Sequence, residues 1–327
     1  MTNFYKKLNI TAFEAISKAQ KIVNGPMLFQ ATFSLIEHGV LKALDEAPKG
    51  LTLEQLREKT DLSEYALGVL LDMGASGEIV TVSDDGVYAL SKIGYFLIND
   101  EMTKINMDFI KYICYEGADK LDDSLVQRKP CGLAVFNKEW QTIYPYLDKL
   151  PGKAKEAWFN WDHLYSQTAF KDAIAKLNEL YKPKTIYDVG GNTGKFAIAC
   201  CNQIDFQAVD ILNQDPNLPH DADVWWMSQF LDCFAPEHVL HILSNISKAM
   251  KDDAKVCILE PIADRQKFEA SAYSINAGSL YFTCMANGYS KFFSTKMLTK
   301  LVTMAGFKID KIIDNLGISD SLFILRK

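Results

Sequence analysis

From Phe13 to Leu44 apolar positions recur through Met27, Leu28, Phe33, Leu35, Ile36 and Val40 in a pattern that predicts helix, broken once at Asn24-Gly25-Pro26. These helices carry more apolar surface than one small domain can cover, and a second copy of the chain is the simplest cover. Thr52-Leu53-Glu54-Gln55 has the form of a capping box and predicts a short helix turning Leu53 and Leu56 inward. A second helix is expected from about Ser63, with Leu67, Leu70 and Leu71 on one face. Two β-branched runs, Ile79-Val80-Thr81-Val82 and Val87-Tyr88-Ala89-Leu90, flank Ser83-Asp84-Asp85-Gly86, whose Asp-Gly supplies a hairpin turn.

Helix, helix and hairpin in this order predict a winged helix. Such a unit either enters DNA or only packs against a partner. The helix that would enter the major groove carries Glu64 and Asp72 and no Lys or Arg from Ser63 to Ser76, and the hairpin tip adds Asp84 and Asp85. Acids facing phosphates repel them, so the pattern argues against a nucleic-acid partner. A further helical region from Phe136 to Tyr181 is rich in aromatics (Trp140, Tyr144, Trp158, Phe159, Trp161), which are more often core than ligand contact.

The carboxy-terminal half alternates differently. Ala222–Met227 and Lys255–Pro261 read as strands, with a helix from about Pro236 to Met250 between them, which predicts a parallel, doubly wound sheet. Lys296 to Ala305 reads as helix, and Ile309 to Ile313 and Leu322 to Leu325 as a closing antiparallel hairpin. At the entry to this half, Thr185-Ile-Tyr-Asp-Val-Gly-Gly-Asn-Thr-Gly194 is a strand breaking into a glycine cluster, followed by the helix-forming Lys195-Phe196-Ala197-Ile198-Ala199. Backbone without Cβ lets a ligand approach closely, and nucleotide-like cofactors bind at such turns. A dinucleotide fingerprint counted from Gly190 would need glycine at Asn192 and Lys195, so that pattern fails.

Composition narrows the class. With 327 residues and 48% hydrophobic content, about two ordinary domains are expected. The seven cysteines are odd in number and contain no Cys-x-x-Cys pair, so neither a disulfide framework nor a metal ribbon is expected, and reduced, cytoplasmic thiols are. No run of eighteen apolar residues suggests a membrane span, and Met1 to Gln20 has no signal-peptide pattern. The 35 basic and 41 acidic residues leave a formal charge of −6, which does not favour a polyanionic partner.

Asp188-x-Gly190-Gly191-x-x-Gly194 resembles the first motif of S-adenosyl-L-methionine (SAM) methyltransferases, and the closing hairpin is similar to theirs. With Leu51–Leu90, Ala222–Leu243 and Glu260–Phe307 added, the chain resembles the small-molecule O-methyltransferases related to the plant phenolic and hydroxyindole enzymes over nearly its full length. The resemblance implies an α/β, Rossmann-like SAM-binding sheet behind an α-rich winged-helix dimerisation domain, in a cytoplasmic homodimer that moves the SAM methyl group to a hydroxyl or carboxylate of a small aromatic acceptor. It implies domains at 1–125 (dimerisation), 126–180 (helical connector on the substrate side) and 181–327 (SAM-binding). It places Asp188, Gly190, Gly191, Gly194, Asp210, Ile211 and Ser228 at the cofactor, Asp232 and Glu260 at methyl transfer, and Trp161, Tyr281, Met285 and Asn287 at the acceptor.

Two departures accompany it. Asp232 stands where the family has a His base, and Phe292 where it has a second Glu. A carboxylate of ordinary pKa facing a phenol leaves proton transfer uphill by roughly six units, about 8 kcal/mol, so Asp232 needs burial to raise it. His238 and His241 match positions that face away from the site. The other departure is length: only 28 residues (195–222) separate Gly194 from Asp223, too few for the family's second strand and helix. Ile204 to Asp210 resembles the family's third strand. Three explanations stand: Asp210 serves as the ribose acid on a shortened sheet; the chain is a degenerate relative, a silent SAM-fold scaffold or sensor; or the natural chain has further residues between Asn202 and Gln203.

Overall fold

A computed structural model of the chain describes Phe4, Leu8–Cys200 and Ile204–Lys327. The junction at Asn202 and Gln203 therefore lies outside the described residues. The chain divides into two compact units, Lys6–Met107 and Asp108–Lys327.

The first unit opens with helices α1 (Ala12–Val23), α2 (Gly25–Glu37) and α3 (Val40–Asp45). Asn24-Gly25-Pro26 makes the expected break, with Pro26 in the first turn of α2 where its missing N–H costs nothing. Strand β1 (Leu51–Thr52) leads into α4 (Leu53–Lys59), whose capping box closes both ways: Thr52 N–H donates to Gln55 Oε1 at 2.9 Å and Gln55 N–H to Thr52 Oγ1 at 3.3 Å. Helix α5 (Glu64–Ser76) is capped by Ser63, and β2 (Val80–Val82) pairs with β3 (Val87–Leu90) around Gly86, which takes a φ of +73° in the turn. Leu35, Val40, Leu56, Leu67 and Leu71 form the core of this winged-helix arrangement. Helix α1 buries none of its residues, and Phe13, Ile16 and Ile22 remain largely exposed. Helices α6 (Lys92–Asn99) and α7 (Glu101–Phe109) follow.

In the second unit, α8 (Leu121–Gln127) and a series of short helical turns lead to the 29-residue α9 (Gly152–Leu180). The sheet comprises β4 (Ile186–Asp188), β5 (Val224–Ser228), β6 (Lys255–Pro261), β7 (Lys308–Leu316) and β8 (Asp320–Arg326), in the order β4-β5-β6-β8-β7. The first three are parallel and β8 runs antiparallel to both neighbours, as the hairpin predicts. Helices α11 (Pro236–Ala249) and α13 (Thr295–Met304) cover one face, while α9 and α10 (Lys195–Cys200) cover the other; α12 (Glu269–Tyr281) follows β6. The two-residue period of β5 sorts its tryptophans between these layers: Trp225 packs towards α11, and Trp226 stacks on Phe196 with ring centroids 4.1 Å apart.

The expected third strand is corrected. Ile204 to Asp210 forms no strand, and β4 is the last strand at that edge among the described residues. Phe206 is 91% exposed and within residues 204–210 only Val209 packs against the core, while Gln207 Nε2 donates to the Asn217 carbonyl, folding the segment onto its own loop. Phe109 and Ile113 pack with Trp158, Tyr281 and Met285 in one cluster, which ties residues from 108 onward to the sheet-bearing unit.

Trp226→Ala would remove a fully buried ring and its stacking partner. A loss of about 3–5 kcal/mol is expected, measured by chemical denaturation of the full chain; a loss below 1 kcal/mol would contradict the packing described.

Candidate active site

The carboxy-terminal ends of β4 and β5 open onto a cavity of about 60 Å³ lined by Asp162, His163 and Gln167 from α9, by Asp188 and the loop Gly190 to Lys195, and by Ser228 and Gln229. Each loop glycine has a steric reason. Gly190 sits at φ +74°, and a Cβ there would overlap the Phe230 ring; a Cβ on Gly191 would stand 2.7 Å from Asp188 Oδ2. Gly194, at φ +73°, closes the turn by donating its N–H to the Gly191 carbonyl at 2.7 Å.

Asp188 is pushed up to about 6 by burial, against a backbone hydrogen bond from Ala197 that lowers it, and its Oδ2 has no partner. Asp162 is also pushed to about 6, chiefly by burial, although Asn192 Nδ2 donates to its Oδ2 at 2.9 Å and the Lys195 charge pulls it down. Lys195 Nζ lies 3.0 Å from His163 Nδ1. Burial first and the Lys195 charge second keep His163 below its usual range. Ser228 Oγ, Gln167 Nε2, Gln229 Nε2 and His163 Nε2 are buried around the same cavity without hydrogen-bond partners.

Past β5, a helical turn Leu231–Cys233 carries Asp232 to a position 1% exposed. Glu260, on β6, is fully buried; its Oε1 accepts the Leu231 N–H at 3.1 Å and its Oε2 is unpartnered. Burial pushes both carboxyls well up, and the nearby Asp232 charge raises Glu260 further. Cys233 Sγ lies 3.5 Å from Asp232 Oδ1. Asn287 clasps this turn: its Nδ2 donates to the Cys233 carbonyl at 2.8 Å and to Ser290 Oγ, while its Oδ1 accepts the Tyr289 and Ser290 N–H groups. Beyond it lies the aromatic cluster, in which Trp161 stacks on Phe109 at 4.2 Å, Tyr281 accepts a hydrogen bond from Trp158 Nε1 at 2.7 Å, and Met285 packs against Gly117 and Gly132.

The structure therefore gathers Asp188, Gly190, Gly191 and Ser228 at one cavity, with Gly194 in its loop, and Asp232, Glu260 and Asn287 in one buried cluster. Asp210 and Ile211 are not brought to the cavity. Asp210 Oδ1 accepts the Leu212 N–H at 3.1 Å in its own turn, and Ile211 packs into the core with Tyr187 and Val189. His241 Nε2 bonds the Asn213 carbonyl at 2.7 Å, away from the cluster. Phe292 is buried against Phe282, so the position of the family's second Glu is filled by packing. Sequence reasoning missed Asp162, His163, Asn192, Lys195 and Asp320. Asp162, His163 and Gln167 share a face of α9 by their spacing, but nothing in the sequence aims that face at the glycine turn. Asp320, 1% exposed with both carboxylate oxygens unpartnered, pairs opposite Pro261 at the start of β8.

Two family models match this chain: a Dimerisation2-like domain at residues 17–87 and an O-methyltransferase domain at residues 196–308. The chain carries an O-methyltransferase domain behind a Dimerisation2-like domain. A probable inactive O-methyltransferase 11 from Dictyostelium discoideum is 31% identical over 156 residues, 41% of this chain and 45% of the relative. An L-tyrosine C(3)-methyltransferase from Streptomyces lavendulae is 25% identical over 201 residues, 61% of this chain and 54% of the relative. The chain spans about half the length of these two curated relatives. The SAM-dependent methyltransferase SibL shares the fold, with a TM-score of 0.72 and 18% identity over 95% of this chain and 99% of that one. Solved neighbours of this fold include complexes with SAM or S-adenosylhomocysteine.

The O-methyltransferase match begins one residue after Lys195, so the glycine loop itself must be judged on geometry. The buried unpartnered atoms around it, two acids and a lysine are what the charged methionine end of SAM would satisfy, so the residues fit that part of the cofactor. Between the ordinary 3.8 and about 6, the folded chain keeps protons on Asp162 and Asp188 that the unfolded chain has released. Their stabilising contribution is thus greatest at low pH and lost as pH rises through about 6. The double variant Asp162→Asn/Asp188→Asn should gain several degrees in Tm relative to the parent at pH 7.5 compared with pH 4.5. A parent-to-variant difference that does not change with pH would refute the assignment.

Proposed function

We propose that this chain is a SAM-dependent methyltransferase that transfers the methyl group to a hydroxyl or carboxylate of a small aromatic acceptor. The observation that supports it most is the burial of Asp232 beside Glu260, because burial supplies the rise in basicity that a carboxylate needs to stand in for a His. When bound, SAM supplies an activated sulfonium methyl group. Asp188, Ser228 and the glycine loop hold the methionine end, with Gly190 and Gly191 leaving the backbone open to it. Asp232 takes the acceptor proton on a carboxylate oxygen. Glu260 fixes the turn that carries Asp232 by accepting the Leu231 N–H, and Asn287 fixes it from the other side through Cys233. Trp161, Tyr281 and Met285 form the apolar wall that would receive an aromatic ring.

The chain works as a homodimer in this reading, joined through the exposed apolar residues of α1, a choice that the Dimerisation2-like domain supports. The partner is not a nucleic acid: Glu64 and the hairpin tip at Asp84 and Asp85 lie exposed where phosphates would have to dock. Among the described residues no helix is long and apolar enough to cross a membrane, and the six described cysteines are free thiols, which supports a cytoplasmic location.

Calorimetry of the full chain should show SAM binding, and a panel of phenols and aromatic acids should include a methyl acceptor. Asp232→Asn should then lower kcat by about 10²–10⁴-fold with SAM affinity unchanged. SAM binding without transfer to any acceptor would favour a silent scaffold, and an Asp232→Asn variant with full kcat would remove Asp232 as the base. Paired Phe13→Asp and Ile22→Asp substitutions should shift the sedimenting species from dimer to monomer; an unchanged dimer would move the interface elsewhere.

A further inference from the structure

Lys195 is the cation of the cavity, and the structure gives it no ion pair among the described residues. Its Nζ reaches 3.0 Å from His163 Nδ1, an arrangement in which the ammonium donates and the imidazole is neutral, with its proton on the buried Nε2. An ammonium has three donors, and among the described residues only this one is engaged. Asp162, next to His163 on α9, accepts from Asn192 Nδ2 at 2.9 Å, and its carboxylate has no other hydrogen bond among the described residues, its backbone carbonyl taking Ser166 Oγ. The cavity thus sets a cation and a carboxylate on its walls without joining them, with Gln167 Nε2 and Ser228 Oγ buried and unpartnered beside them. Several orphaned polar atoms buried at one small cavity, beside a half-buried ammonium without an ion pair among the described residues, are costly unless a ligand answers them. A zwitterion answers both signs at once.

We propose that Lys195 and Asp162 clamp the two charged groups of the α-amino acid end of the cofactor, Lys195 taking its carboxylate and Asp162 its ammonium. This rests on the SAM reading above and extends it to two residues outside the glycine motif. The two charged groups and the unpartnered polar atoms all line this one cavity, which is where an amino acid head would seat. At the other end, Asp210 is committed to its own turn, and no strand lies beyond β4 among the described residues to offer the ribose a carboxylate. The amino acid end consequently carries an unusually large share of the recognition. A charge-assisted hydrogen bond of about 1.5–3 kcal/mol corresponds to roughly 10–150-fold in affinity.

The test compares SAM with decarboxylated SAM, which keeps the ammonium and the nucleoside and lacks only the carboxylate. Both are titrated calorimetrically into the full chain. The parent should bind SAM at least tenfold more tightly than the decarboxylated form. In Lys195→Met that ratio should collapse to near one, with decarboxylated SAM binding as in the parent, whereas Lys195→Arg should keep the preference. Asp162→Asn should weaken both ligands together, since both carry the ammonium. A parent that binds the two ligands equally, or a Lys195→Met variant that keeps the preference, overturns the clamp while leaving the SAM reading intact. Equal weakening of both ligands in Lys195→Met reduces Lys195 to a structural role. A parent that binds neither ligand overturns the SAM reading and the clamp with it.

Discussion

Carboxylates held out of water at the ends of the strands constrain everything built around them. Asp188 closes β4, Glu260 lies near the end of β6, Asp320 begins β8, and Asp232 sits in the turn beyond β5; none of them is in a salt bridge. Burial raises the pKa of all four above the ordinary carboxylate range. Pairing between β6 and β8 holds two of them in place. The antiparallel register sets Glu260 opposite Ser321 and Pro261 opposite Asp320, where both carboxyls are buried. A fold that meets this cost throughout its core strands keeps proton-accepting groups where water cannot compete for them.

Around that centre the structure divides its work by layers. On one side α9 brings Asp162, His163 and Gln167 over the glycine loop, and its apolar positions Ala169, Ala173 and Leu177 fix the helix on the sheet through Trp226 and Phe196. On the other, Asn287 ties the Asp232 turn to the loop after the aromatic cluster, so the wall that would meet an acceptor and the group that would deprotonate it are joined by hydrogen bonds and cannot drift apart. Phe292 completes the wall where a second acid would otherwise stand, and Asp232 and Glu260 are held by the Leu231 amide, the Cys233 thiol and the Asn287 clasp on the turn.

Local chemistry made much of this legible in the sequence. The Thr52 to Gln55 cap, the Asp85-Gly86 turn, the break at Asn24-Gly25-Pro26 and the two-residue period of the strands each act over a few residues, and each appears where the sequence places it. The glycine turn was legible for the same reason, because positive φ at Gly190 and Gly194 and the crowding of Gly191 against Asp188 are local demands. The segment from Ile204 to Asp210 shows where this kind of reading fails. Its composition suits a strand, but a strand needs a partner edge and a layer to cover it, and Phe206 points into solvent.

The sequence by itself determined the two kinds of unit, the strand and helix order and the residue types at the motif, since capping, periodicity and backbone freedom are written in neighbouring residues. Only the tertiary structure decided which side chains meet. Lys195 and His163 are 32 positions apart, Asp320 reaches the carboxylate region through a strand register fixed near the end of the chain, and Asp210 turns away to bond its own loop. The basicity of Asp232 belongs to the same category. It depends on exclusion from water by groups from several elements, and no run of sequence around Asp232 contains that.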